Sequence, residues 1–150
     1  FVLGLAEFAA PFGGWIAVTG AAHPAAFSLA AGAGLWVAGF DIVYALQDLE
    51  FDRGHGVRSL GARFGVRGAL RWSAAVHFLA WVLLALPAYI LGLWFWYAAG
   101  LGLVGALLWY EHAILSERDL SRLGRAFFGL NGAISVIFFL CTAAEAVLGR

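Results

Sequence analysis

Long apolar runs separated by short polar stretches dominate the chain. The first runs from about Phe1 to Thr19, with Gly4, Gly13 and Gly14 around Pro11, and ends in a turn from Gly20 to Pro24. A second begins near Ala25, passes through the small residues Ala30, Ala31, Gly32, Ala33 and Gly34, and continues into a polar extension from Asp41 to Asp52. Arg53 to Arg71 is polar and glycine-rich, whereas Trp72 to Tyr110 is nearly uncharged. The latter exceeds one membrane span of about 20 residues, so it divides into helices over about 70 to 90 and 93 to 111, turning near Gly92. Glu111 to Arg125 forms a second polar connection, and a last run extends from about Ala126 to Leu148. These lengths predict an all-α, polytopic transmembrane helical bundle of about five spans, with no internal repeat and no low-complexity linker.

Composition strengthens this expectation. Hydrophobic residues make up 63% of the 150 positions and charged residues only 12%, too few charges for the water-facing shell of a soluble domain. The chain is therefore expected to be solvated by the lipid bilayer. It contains no methionine and opens on Phe1 in an apolar run, so it reads as a fragment whose N-terminal part is missing. Cys141, the single cysteine, cannot form an internal disulfide.

Charge sets orientation. The net charge is zero and all basic side chains are arginines, which gives no broad basic surface for nucleic acid. Arg53, Arg58, Arg63, Arg67 and Arg71 fall in one connection, Arg118, Arg122 and Arg125 in another, and Arg150 lies opposite if all five segments span. The positive-inside rule then places the loops after the second and fourth spans in the cytoplasm.

The candidate chemistry lies in the extension Asp41-Ile42-Val43-Tyr44-Ala45-Leu46-Gln47-Asp48-Leu49-Glu50-Phe51-Asp52. At α-helical spacing, Asp41, Tyr44, Asp48 and Asp52 fall within a sector of roughly 80°. Glu50 lies opposite, as a solvated charge. Carboxylates four residues apart repel, and a membrane boundary adds desolvation, so a cation should offset them. Mg²⁺ suits them because it takes one or two carboxylates, keeps several waters and completes its octahedron with substrate phosphate. Arg58 and Arg63, in the glycine-rich stretch, could then bind a diphosphate. An ordinary polar helix end neutralised by the following arginines is the plainer alternative.

The pattern Asp41-x-x-Tyr44-Ala45-x-x-Asp48-x-x-x-Asp52, followed by Gly56, Arg58-Ser59 and Phe64-Gly65, resembles the second aspartate-rich motif of the UbiA superfamily of intramembrane prenyltransferases. Tyr44-Ala45 is similar to the branch acting on aromatic acids in quinone biosynthesis, and Leu46 to Asp52 looks closest to its menaquinone group. Gly13 to Gly20 resembles the family's fifth span, and Phe127-Phe128 with Asn131 the start of its ninth. The resemblance implies helices five to nine of a nine-helix fold, the C-terminal part of one prenyltransferase domain covering residues 1–150. The family's first aspartate motif would then lie upstream.

It further implies transfer of a polyprenyl group from a polyprenyl diphosphate to an aromatic acid, 4-hydroxybenzoate or a naphthoate, in ubiquinone or menaquinone biosynthesis. Mg²⁺ would promote departure of diphosphate, leaving an allylic cation that the electron-rich ring attacks. In that scheme Asp48 and Asp52 are the metal ligands, directly or through water, Arg58 grips the diphosphate, Asp41 is a ligand or orients the acceptor, and Tyr44 stabilises the cation or simply packs. The resemblance places the protein in the bacterial inner membrane, inactive as an isolated fragment.

Two other classes stay open: a phosphoalcohol transferase, though its D-G-x-x-A-R element does not precede Asp48, and a transporter using Asp41 and Glu7 as ion or proton sites. A noncatalytic packing subunit is a third. Glu7 is read as a pocket residue or an interfacial acid, Asn131 as an interhelical hydrogen-bonding residue, and His55 as a solvated loop histidine. His77 has no visible partner, His23 and His112 read as interfacial, and no histidine-cysteine grouping has zinc spacing. Trp94, Trp96 and Tyr97 are expected to form an interfacial aromatic belt.

Overall fold

A computed structural model describes residues 2–115, 120 and 123–149. Among them there are helices and connections but no strand: α1 (Val2–Thr19), α2 (Pro24–Tyr44), a 3-10 turn (Ala45–Asp48), α3 (Leu49–Gly54), α4 (Leu60–Leu91), α5 (Phe95–Ile114), a π-helical turn (Arg125–Leu130) and α6 (Asn131–Leu148). Three helical stretches, Pro24–Gly54, Leu60–Leu91 and Phe128–Leu148, are long and apolar enough to cross a bilayer, and Leu3–Thr19 is a shorter apolar helix. With α5, this gives five apolar helices among the described residues, three of them of spanning length and apolarity, against the five spans expected. Phe1, Arg118, Arg122 and Arg150, which entered the expected first span and the orientation argument, lie outside the described residues.

α2 packs against α1 on one side and α4 on the other, and α5 links α4 to α6. The small-residue stretch of α2 produces this close packing. A Cβ at Gly34 would collide with the Gly4 carbonyl of α1, and a Cβ at Gly32 would lie 2.9 Å from Leu84 of α4. Ala30, Ala69 and Ala80 are completely buried. In lipid, helices gain little from expelling water, so close backbone approach and interhelical hydrogen bonds must supply the association.

α4 supplies two such bonds to α2. The Ser73 hydroxyl donates to the Gly39 carbonyl at 2.8 Å, and His77 Nε2 lies 3.2 Å from the Trp36 carbonyl. His77 Nδ1 meets His112 Nε2 of α5 at 3.0 Å. His77, which lacks a partner in the linear sequence, thus joins three helices. Asn131 acts as expected, accepting from Trp36 Nε1 at 3.1 Å.

Three boundaries differ from the sequence reading. α4 begins at Leu60 rather than near residue 70, with the Ser59 hydroxyl accepting from Ala62 N–H at 3.1 Å. The N-cap satisfies a first-turn donor, and the helical course is broken only at Gly65, whose φ of 71° and ψ of 175° produce a kink. Arg67 and Arg71 consequently belong to a helix. α5 continues to Ile114, placing Glu111 not in a polar connection but at complete burial. Both its carboxyl oxygens are enclosed without a hydrogen-bond partner. The last run begins as a π-helical turn before becoming α6 at Asn131.

Gly92 ends α4 as expected, in the left-handed conformation, and its N–H bonds to the Ala88 carbonyl. The aromatic belt is divided. Trp94 and Trp96 are exposed, but Tyr97 is buried, its hydroxyl donating to the Leu84 carbonyl at 2.7 Å. Glu145 of α6 reaches the start of α5 and accepts from the N–H groups of Trp94, Trp96 and Tyr97 at 2.8, 2.8 and 3.2 Å. It caps a helix far away in sequence, satisfying donors that lipid cannot.

Substitutions at Gly39, His77 and Glu145 test this packing. Gly39→Ala places a methyl group against the His77 ring and should destabilise the protein by about 1–3 kcal/mol, as overpacking does. The cost should shrink in a His77→Ala background, a coupling measured by a double-mutant cycle of detergent unfolding. Glu145→Gln should lower the thermal midpoint and Glu145→Ala should lower it further; equal midpoints to the parent would exclude the cap as a stabilising feature.

Candidate active site

The acidic segment leaves the bundle at the end of α2. It does not keep one helical stripe: α2 ends at Tyr44, the 3-10 turn covers Ala45–Asp48, and α3 then begins. Four residues at three per turn advance the chain about 80° beyond α-helical geometry. Asp48 and Asp52 are therefore rotated away from the stripe of Asp41 and Tyr44.

Their surroundings differ accordingly. Asp41 is half-buried, Tyr44 is 38% exposed, Asp48 is exposed, and Asp52 is 8% exposed. Glu50 is exposed, as expected for a solvated charge. The hydrophobic side of the segment anchors it: Val43 and Leu46 are buried in a cluster with Ala69 and Leu115, against which Ile42 and Leu60 pack.

Beyond Asp52 the chain turns back on itself. Val57 N–H bonds to the Asp52 carbonyl at 2.9 Å, and Gly56 adopts a φ of 68°, a left-handed conformation that favours glycine. The return brings the first turn of α4 opposite α3. A cleft of about 590 Å³ lies between them, lined by Asp52, Arg53, Arg58, Ser59 and Arg63 among others. The Arg63 guanidinium also lies 5.1 Å from the centre of the Phe64 ring.

The tertiary structure thus brings together Asp52, Arg58 and Arg63. Asp41, Tyr44 and Asp48 do not line this cleft. A carboxylate beside guanidinium groups can hold an anion by charge-assisted hydrogen bonds while leaving an oxygen for a hard cation. Among the described residues, no group of three or more His, Cys, Asp or Glu side chains converges to hold a metal. Any Mg²⁺ bound here would need further oxygen donors from substrate phosphate, water or other parts of the protein.

His55 has the exposed loop position expected, stacked on Phe51 with ring centres 4.0 Å apart. A second cleft of about 330 Å³ lies between α1, α2 and the start of the last helix, lined by Glu7, Trp36, Phe40 and Asn131 among others. This places Glu7 at a pocket, one of the two readings open for it. The sequence reading missed the cap formed by Glu145, the burial of Glu111 and the pairing of His77 with His112. Their shared signal was a polar residue within an apolar run, but its partner could not be read from spacing.

The chain is similar to known proteins in sequence and in fold. The chain is 34% identical over 140 residues to a 4-hydroxybenzoate octaprenyltransferase of Xanthomonas campestris pv. campestris, an alignment covering 90% of this chain and 44% of that protein. It is 32% identical over 126 residues to the protein of the same description from Nitrosococcus oceani, covering 81% of this chain and 42% of that protein. The chain therefore spans less than half the length of these relatives. The apo structure of a UbiA homolog from Aeropyrum pernix superimposes with a TM-score of 0.67 at 30% identity, covering 81% of this chain and 42% of that one. The sequence pattern of the UbiA prenyltransferase family matches residues 1–141, and the chain belongs to that family.

Proposed function

We propose that the protein transfers a polyprenyl group from a polyprenyl diphosphate to an aromatic acid, with Mg²⁺ held by Asp48 and Asp52 directly or through water. The observation that carries this reading is the cleft that Asp52, Arg58 and Arg63 line together. Its combination of a carboxylate and basic groups suits a metal-bound diphosphate better than an ion-transport path.

The residues fit the donor set that Mg²⁺ prefers, hard carboxylate oxygens with room for water and phosphate. When bound, Mg²⁺ would supply positive charge against the developing negative charge of the leaving diphosphate. Arg58 and Arg63 would grip the diphosphate oxygens and fix its orientation. Asp48, exposed one helical turn before Asp52, would approach the site through a water or by reorientation of its side chain. Asp41 and Tyr44 stand earlier in the chain, on α2 itself, where they would face the acceptor or the allylic end of the donor.

In this reading the chain contributes the second acidic motif, while the first is sought upstream of Phe1 in the full-length protein. The named relatives favour 4-hydroxybenzoate as acceptor, whereas the resemblance of Leu46 to Asp52 favours a naphthoate. The family and the bacterial relatives support an inner-membrane location, and the arginine bias of the connections would put the Asp52 cleft on the cytoplasmic side.

Full-length protein in membranes should consume polyprenyl diphosphate with Mg²⁺ and one of the two acceptors. Asp52→Ala and Asp48→Ala should each lower turnover at least about 100-fold, the order expected for loss of a preorganised electrostatic group. Unchanged turnover in both variants would remove these ligands from the mechanism. Arg58→Ala should mainly raise KM for the donor. Chelation of the divalent cation should abolish product formation and added Mg²⁺ restore it; ion flux without diphosphate release would instead support a transporter.

A further inference from the structure

The kink at Gly65 separates two pairs of arginines. Arg58 and Arg63 line the cleft with Asp52, whereas Arg67 and Arg71 line a different hollow of about 300 Å³ between α4 and α5. That hollow shares Ala74 and His112 with a larger, predominantly apolar one of about 460 Å³, which extends to Trp81 and Gly102. Together they form a groove with a basic mouth and an apolar floor.

We propose that this groove binds a phospholipid with an anionic headgroup, drawn from the leaflet on the arginine side. Its length fits one leaflet: Arg67 to Trp81 is fourteen residues of helix, about 21 Å, against a hydrocarbon half-thickness of about 15 Å plus the headgroup region. Arg67 and Arg71 are four residues apart on one helical face, where both guanidinium groups can meet a phosphate. The charge lies at one end and the apolar lining at the other, matching an acyl chain below a negative headgroup.

His112 sits where the two parts join. For His77 Nε2 to donate to the Trp36 carbonyl, a neutral His77 must accept at Nδ1, so His112 donates from Nε2. That leaves His112 Nδ1 an acceptor, which a headgroup hydroxyl can donate to but the phosphate itself cannot. The floor is open by virtue of small side chains: a Cβ built at Gly102 meets no atom within 4 Å. Trp81 closes the far end, its Nε1 held by the Leu101 carbonyl at 2.9 Å. The proposal is independent of the catalytic reading because the Asp52 cleft shares no lining residue with this groove.

The test uses the full-length protein in phosphatidylcholine vesicles with trace spin-labelled phosphatidylglycerol or phosphatidylcholine. Phosphatidylglycerol should show the larger immobilised fraction. Arg67→Gln and Arg71→Gln should each lower its relative affinity about fivefold, the effect of removing one basic contact to an anionic lipid. Gly102→Leu should abolish the preference by filling the groove while leaving the arginines in place. Phosphatidylglycerol carrying a photoreactive acyl chain should label peptides of α4 and α5 facing the groove in the unmodified protein. Equal immobilisation of the two lipids, a preference that survives Gly102→Leu, or labelling confined to other helices would each overturn the proposal. Displacement of bound phosphatidylglycerol by farnesyl diphosphate without reciprocal competition would assign the groove to a prenyl donor and equally overturn it.

Discussion

The contact between α2 and α4 is the constraint on which the other positions depend. It combines close packing of α4 side chains on α2 glycines, Leu84 on Gly32 and the His77 ring on Gly39, with hydrogen bonds from Ser73 and His77 to α2 carbonyls. Without a gain from expelling water, a loosely packed pair of apolar helices has little reason to prefer one neighbour over another. The small side chains permit close approach, and the polar atoms define the register. That register presents the end of α2 beside the start of α4, from which the acidic segment and the arginine-bearing turn emerge.

Polar groups in the interior connect the remaining helices. Asn131 ties the start of α6 to α2 through Trp36, and Glu145 ties its end to the first turn of α5. His112 links α5 to α4, while the Tyr97 hydroxyl reaches the Leu84 carbonyl. Each connection satisfies a group that would be costly to leave unpaired in hydrocarbon. The resulting scaffold supports two chemically different surfaces, the Asp52 cleft at the polar end and the lateral groove between α4 and α5. Gly65 separates them by breaking the helical course between Arg63 and Arg67.

Much of the architecture was legible because lipid solvation imposes long apolar segments. The approximate spans, the turn at Gly92 and the small-residue contact of α2 follow from local properties that neighbouring residues share. Asp52, Arg58 and Arg63 could likewise be identified as chemically related, and the structure places them at one cleft. The single stripe expected for Asp41, Tyr44, Asp48 and Asp52 was not preserved. A 3-10 turn preserves the chain's direction but changes the angular position of every following residue. Arg67 and Arg71 were expected in a loop because polarity marks exposure more directly than conformation, yet an exposed arginine is also a good helix former.

By itself, the sequence determined a lipid-embedded helical protein with a concentrated acidic and basic segment, since composition and run length decide which surfaces can leave water. Only the tertiary structure decided that His77 joins α2 and α5, that Glu145 caps α5, and that Tyr97 turns inward. It also decided which arginines meet Asp52 and which line the lateral groove. The physical reason is that hydrophobicity is a property each residue carries along the chain, whereas a hydrogen bond or a shared cleft requires a particular distance and direction between residues that the fold brings together.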